Sequence, residues 1–170
     1  MLVKSMLDFI FDEIDFSPQI TSFQGIHLWV IHAEKIPPHI GLSIDNYYFS
    51  LKANGRDDAI QVNSILQIIS KKEIGTLLIK LKSNTTLNQM KAEFDKFESA
   101  QDLNSTCLVP IKRCLNAPKK ILKLSDLLHY LKAEGEILSV FGLHLNNDYK
   151  GIEKYSTIEI QQRITKLKQC

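Results

Sequence analysis

The sequence predicts an α+β fold: a mainly antiparallel sheet of four to five strands with helices packed against it. Three observations lead there. Short apolar, β-branched runs at 25–32, 39–44, 47–51, 76–81 and 137–144 alternate with segments of three- and four-residue apolar period. Two capping boxes, Thr86-x-x-Gln89 and Ser156-x-x-Glu159, mark helix starts. Between two of the runs stands Asp45-Asn46, a pair that a type I′ hairpin turn accepts.

That hairpin is the best-defined element. Pro37 and Pro38 cannot donate to a sheet ladder, so the first strand begins at His39. A two-residue turn sets Ile44 opposite Tyr47, Ser43 opposite Tyr48, Leu42 opposite Phe49, Gly41 opposite Ser50 and His39 opposite Lys52. One face then carries Ile40, Leu42, Ile44, Tyr47, Phe49 and Leu51, which is core. The other carries His39, Gly41, Ser43, Tyr48, Ser50 and Lys52, with Gly41 and Ser43 leaving room beside the histidine.

Along the chain, Val3, Met6, Ile10 and Ile14 fall on one stripe and predict a helix over 3–14, ended by Ser17-Pro18. Residues 25–32, GIHLWVIH, suit a central strand buried on both faces. His27 and His32 read as satisfied core or strand-end residues, with no metal-ligand spacing around them. Ala53–Asp58 is a polar turn; 61–72 is a helix with Val62, Ile65, Leu66 and Ile69 inward. The helix opened by Thr86 turns Leu87, Met90, Phe94 and Phe97 to the core. Ser125 caps a further helix that Gly135 closes. Residues 146–151 form a polar loop, and Ser156 starts the last helix.

Residues 104–115 run from a loop into a helix. Pro110 is tolerated only in a first turn, which places Cys107 at the helix entrance. There the unpaired amides and the helix dipole favour a thiolate, the alternative being a buried, inert thiol. Cys114, two turns on, reads as a buried small hydrophobe, and Cys170 as exposed.

Composition excludes several classes. The 170 residues, 44% apolar and 24% charged, suit one globular domain. A formal charge of +2 does not point to nucleic acid, and the basic residues Lys112, Arg113, Lys119, Lys120 and Lys123 read as a solvated face. Three cysteines without a CxxC argue against a disulfide framework and favour a reducing, cytoplasmic setting. No apolar run reaches membrane-spanning length. No cofactor or metal motif is present.

A histidine opening a strand in H-x-G-[IL]-x-[IV], a tight hairpin, a helix, and then a cysteine starting another helix resembles the circularly permuted papain-like thiol hydrolases, among them the NlpC-type, LRAT-like and PPPDE-like families. The resemblance covers roughly 36–115. It implies Cys107 as nucleophile, His39 as base and Ser50 at the third, imidazole-orienting position. The chain has Thr106-Cys107 where many relatives have Asn-Cys. On this basis residues 1–16 are an N-terminal helix, 25–115 a papain-like core and 121–170 a C-terminal extension of a single 1–170 domain. The implied activity is hydrolysis or acyl transfer at an amide or ester, on a peptide, isopeptide or acyl substrate. The alternative is an inactive papain-like module that binds a protein partner.

Overall fold

The structure, a computed structural model, describes residues 6–17 and 19–169. In chain order these form β1 (Leu7–Ile10), β2 (Ile26–Ile31), β3 (His39–Ile44), β4 (Tyr47–Lys52), β5 (Gly55–Gln61), α1 (Val62–Lys71), β6 (Thr76–Leu81), α2 (Leu87–Phe94), α3 (Leu108–Cys114), α4 (Leu124–Ala133), β7 (Ile137–Leu143), β8 (Gly151–Glu153) and α5 (Thr157–Lys168). The fold is α+β. Six strands make one antiparallel sheet in the order β5-β4-β3-β2-β6-β7, and β1 pairs with β8 in a second sheet of two.

β2 is the centre because its sequence has no polar face to show water. It pairs along its whole length with both β3 and β6, and only Ile31 escapes full burial. One side of the sheet buries Leu28, Val30, Leu42 and Phe49 against Met90 and Phe94 of α2, Ile111 of α3 and Leu127 of α4. The other buries Trp29, Tyr48 and Leu78 against Val62 and Ile69 of α1. Each large side chain so buried contributes about 1.5–3 kcal/mol. The hairpin pairs as expected at Ile44/Tyr47, Ser43/Tyr48 and Leu42/Phe49.

Several expectations are corrected. The β3–β4 ladder stops at Leu42/Phe49, so Gly41 does not pair with Ser50 nor His39 with Lys52. Asp45 alone of the turn pair has positive φ, at 49°, so the turn is not type I′. Asp45 is held instead by its backbone and carboxylate, which bond the carbonyl and amide of Gly25. The second face of the hairpin is not an open polar surface. A Cβ on Gly41 would lie 2.3 Å from the Tyr48 hydroxyl, so the tyrosine ring occupies the space the glycine leaves. Trp29 Nε1 donates to Ser43 Oγ at 2.8 Å and fills the rest. Tyr47, expected in the core, is 38% exposed.

The expected N-terminal helix is β1 over the residues described; Val3 lies outside them. Leu7, Phe9 and Phe11 alternate with Asp8, Ile10 and Asp12, and that period of two wins: Phe9 and Phe11 are buried while Ile10 is 57% exposed. Its partner β8 begins at Gly151, where a Cβ would collide with the Phe9 carbonyl oxygen; only glycine permits the approach. The polar turn at 53–58 is the start of β5, a charged edge strand whose Asp58 and Ala59 bulge opposite Phe49, with Ala59 at φ 51°. The first turn of α4 is not capped by Ser125, which is buried; Leu124 N donates to Tyr155 Oη at 3.0 Å. Nor does the basic run form one solvated face. Lys112 is buried, its ammonium donating to the carbonyls of Lys119 and Ile121, and Lys123 pairs with Asp8 at 3.3 Å. Residues 121–170 are no appendage: β7 joins the main sheet, and α4 and α5 complete its core.

Candidate active site

Where β3 and β4 cease to pair, a cavity of about 460 Å³ opens at the end of the sheet. His39 and Cys107 both line it. Each is brought there by local sequence. The two prolines, the first after a cis Ile36–Pro37 bond, deliver His39 to the start of β3. On the other wall Ala100 N donates to the carbonyl of Lys52 at 2.8 Å, which ties the loop before α3 to the end of β4. Asp102 and Ser105 then brace that loop through Asn104 N–Oδ1 and Gln101 N–Oγ bonds of 2.8 and 3.1 Å. Thr106 Oγ1 accepts from Leu108 N at 3.3 Å, so the cap is supplied one residue early and the Cys107 side chain is not spent on it. Cys107 sits at the entrance of α3 with φ −56° and ψ −22°. Cys114 is buried two turns deeper, its thiol pushed up to about 12 by burial and the nearby Glu93. Cys170 lies outside the described residues.

The electrostatics differ from expectation. Burial pushes the Cys107 thiol above its ordinary range, and the amides of Ile40, Cys107 and Leu108, which bond the sulfur, offset only part of that. Burial likewise lowers His39 to about 4; Asp57 opposes the shift, whereas Lys52, His32 and Arg163 add to it. Neither group is among the causes of the other's shift, and burial disfavours the thiolate of one and the imidazolium of the other. The thiolate expected from the helix entrance is overridden because desolvation outweighs three amide contacts.

Ser50, expected to orient the imidazole, is fully buried and donates to Asp57 Oδ2 at 2.7 Å. Asp57 Oδ1 also pairs with Lys52 at 3.0 Å. Asp57 does not line the cavity, but its charge acts on His39, an influence the sequence does not show because 53–58 reads as a turn. The signal was present: Asp57 stands opposite Ser50 across β4 and β5, and Asp-Asp in an edge strand is costly without a use. His32 stays at the strand end with φ 56°, half-buried on the same cavity. His27 is corrected: it is buried, but Nδ1 lacks a hydrogen-bond partner among the described residues.

Among the described residues no group of three His, Cys, Asp or Glu is placed to hold a metal ion, and no helix is long and apolar enough to cross a membrane. No protein-family model, curated protein or solved structure matches the chain.

Proposed function

We propose that the protein is a thiol-dependent hydrolase or acyltransferase in which Cys107 attacks an amide or ester carbonyl and His39 moves the proton. The observation that supports this reading is that a helix-entrance cysteine and a strand-start histidine line one cavity. Because both groups rest neutral, the imidazole acts as general base during attack rather than holding a preformed ion pair. The Asp57 carboxylate favours the imidazolium that forms. As the tetrahedral intermediate collapses, the scissile bond breaks and His39 gives its proton to the leaving amine or alcohol; His39 then takes a proton from the incoming water, alcohol or amine and returns it to the Cys107 sulfur as the thioester bond breaks.

A second reading, a binding module with the same cavity and no chemistry, is favoured by the direction of both shifts, which disfavour thiolate and imidazolium alike. Iodoacetamide labelling across pH in a Cys170→Ser background separates the two. The enzyme reading expects Cys107 to label in the folded protein, and His39→Ala and Asp57→Asn each to slow labelling near neutral pH. Labelling of Cys107 only on unfolding, or a profile unmoved by either substitution, favours the module.

A further inference from the structure

The cavity beside Cys107 is walled mostly by hydrocarbon. Pro38, Ile40, Leu51 and Leu108 form one side, and Ile160 and Ile164 of α5 the other. Its volume lies within the range of about 300–1,000 Å³ usual for small-molecule sites. α5 opens on a cap of its own and is fastened to the rest of the fold near its C-terminus. Ser156 and Glu159 close a reciprocal capping box at the N-terminus, and Asn54 Nδ2 donates to the Leu167 carbonyl at 3.2 Å near the C-terminus.

One charged side chain in this wall has no answering charge. Arg163 lines the cavity, yet among the described residues no carboxylate lies within ion-pair distance of it. Its natural helical partner is four residues earlier, and that partner is occupied. Glu159 turns back to accept the Ser156 amide through Oε2 at 2.6 Å. The other cation of the lining, Lys52, is neutralised by Asp57. The charge of Arg163 falls on both His32 and His39, which places it near the reacting end of the cavity. A half-buried guanidinium beside an apolar pocket, with its helix partner withdrawn, is suited to an incoming anion.

We infer that the cavity takes a single-chain anionic amphiphile, an apolar acyl chain lying between α5 and the β3–β4 end with its carboxylate on Arg163. The inference rests on the proposed function for one point only: such an acid is then the product of hydrolysis, or the acyl part of the substrate, at Cys107. Binding itself does not need the thiol.

The test uses sodium decanoate and decanol, both below the concentrations at which they aggregate, titrated into the full chain and into its Cys107→Ala variant. Decanoate should bind both proteins and should slow iodoacetamide labelling of Cys107 in the unsubstituted chain. It should bind about tenfold more tightly than decanol, the difference one charge-assisted bond supplies. Arg163→Gln should remove that preference and Arg163→Lys should keep part of it, whereas Ile164→Trp should weaken both ligands by filling the cavity. No decanoate binding to the Cys107→Ala protein, equal affinity for the two ligands, or a preference that survives Arg163→Gln overturns the inference. Decanoate binding alongside an inert Cys107 overturns the enzyme reading alone, so the two failures are distinguishable.

Discussion

Two histidines are lowered to about 4, His27 on β2 beside the turn end of the β3–β4 hairpin and His39 at its open end, but the surroundings that lower them differ. Near the turn, His27 is shut beneath Phe23, ring centroids 5.4 Å apart, with Lys80 opposite it across β2 and β6. Burial is the larger cause there and Lys80 the smaller. At the open end, His39 lies on a cavity that a thiol also lines, with a carboxylate acting on it. A depressed histidine is therefore not by itself the mark of a site. What separates the two is free volume and a reactive neighbour, and only one end has them.

The closed end should carry the stability. Trp29 is fully buried, stacks on Phe23, meets Tyr48 edge-on and bonds Ser43, so Trp29→Ala should cost about 3–5 kcal/mol in a denaturant titration. A loss no larger than that of the smaller truncation Leu108→Ala at the cavity would erase the contrast between the ends.

The pH dependence sharpens the same comparison. Both imidazoles have folded values near 4 against an ordinary 6.5, so the unfolded chain takes up their protons first as pH falls. Their contribution is complete above pH 6.5 and is lost progressively down to about 4, on the order of 3 kcal/mol for each. Urea midpoints measured from pH 8 to 4 should fall over that window, and His27→Phe should remove roughly half of the histidine share. If His27→Phe abolishes the whole slope, the open-end imidazole is hydrated and the likeness of the two histidines is broken.

Gly41 lies between the ends. A Cβ there would meet the Tyr48 hydroxyl at 2.3 Å and two ring carbons at 2.5 Å, against a side chain that is almost wholly buried. Gly41→Ala should cost about 1–3 kcal/mol by overpacking. It should also displace Tyr48, which a change in the phenol's near-ultraviolet circular dichroism would report; a neutral substitution would mean the ring has room to move.

The smallest effect is expected at the wall of the cavity. Ser156→Ala removes half of the α5 capping box and should cost about 1 kcal/mol. Amide exchange should quicken in α5 and leave β2 unchanged. Equal quickening in both would show that the open end unfolds only with the whole molecule.

Much of this frame was legible before any coordinates. The capping boxes at Thr86 and Ser156 form as their spacing requires, and β3 and β6 keep the bounds their apolar runs mark. Such features depend on neighbours a few residues apart, which is the range that a linear pattern records. β1 and β5 were missed because their stability comes from partners elsewhere: β1 exists through Gly151, and GRDDAIQ is a strand only because β4 offers it an edge.

The site divides along the same line. The sequence by itself determined that a histidine would open β3 and that a cysteine would stand at the entrance of α3, because prolines and helix geometry act locally. Tertiary structure alone decided that the two share a cavity, that Ser50 is spent on Asp57, and that burial pushes the thiol up. The physical reason is that a pKa answers to the solvent a group loses and the charges that surround it. Both are set by chain segments far away in sequence: Lys52 and Asp57 on neighbouring strands, and Arg163 on a helix more than a hundred residues from His39.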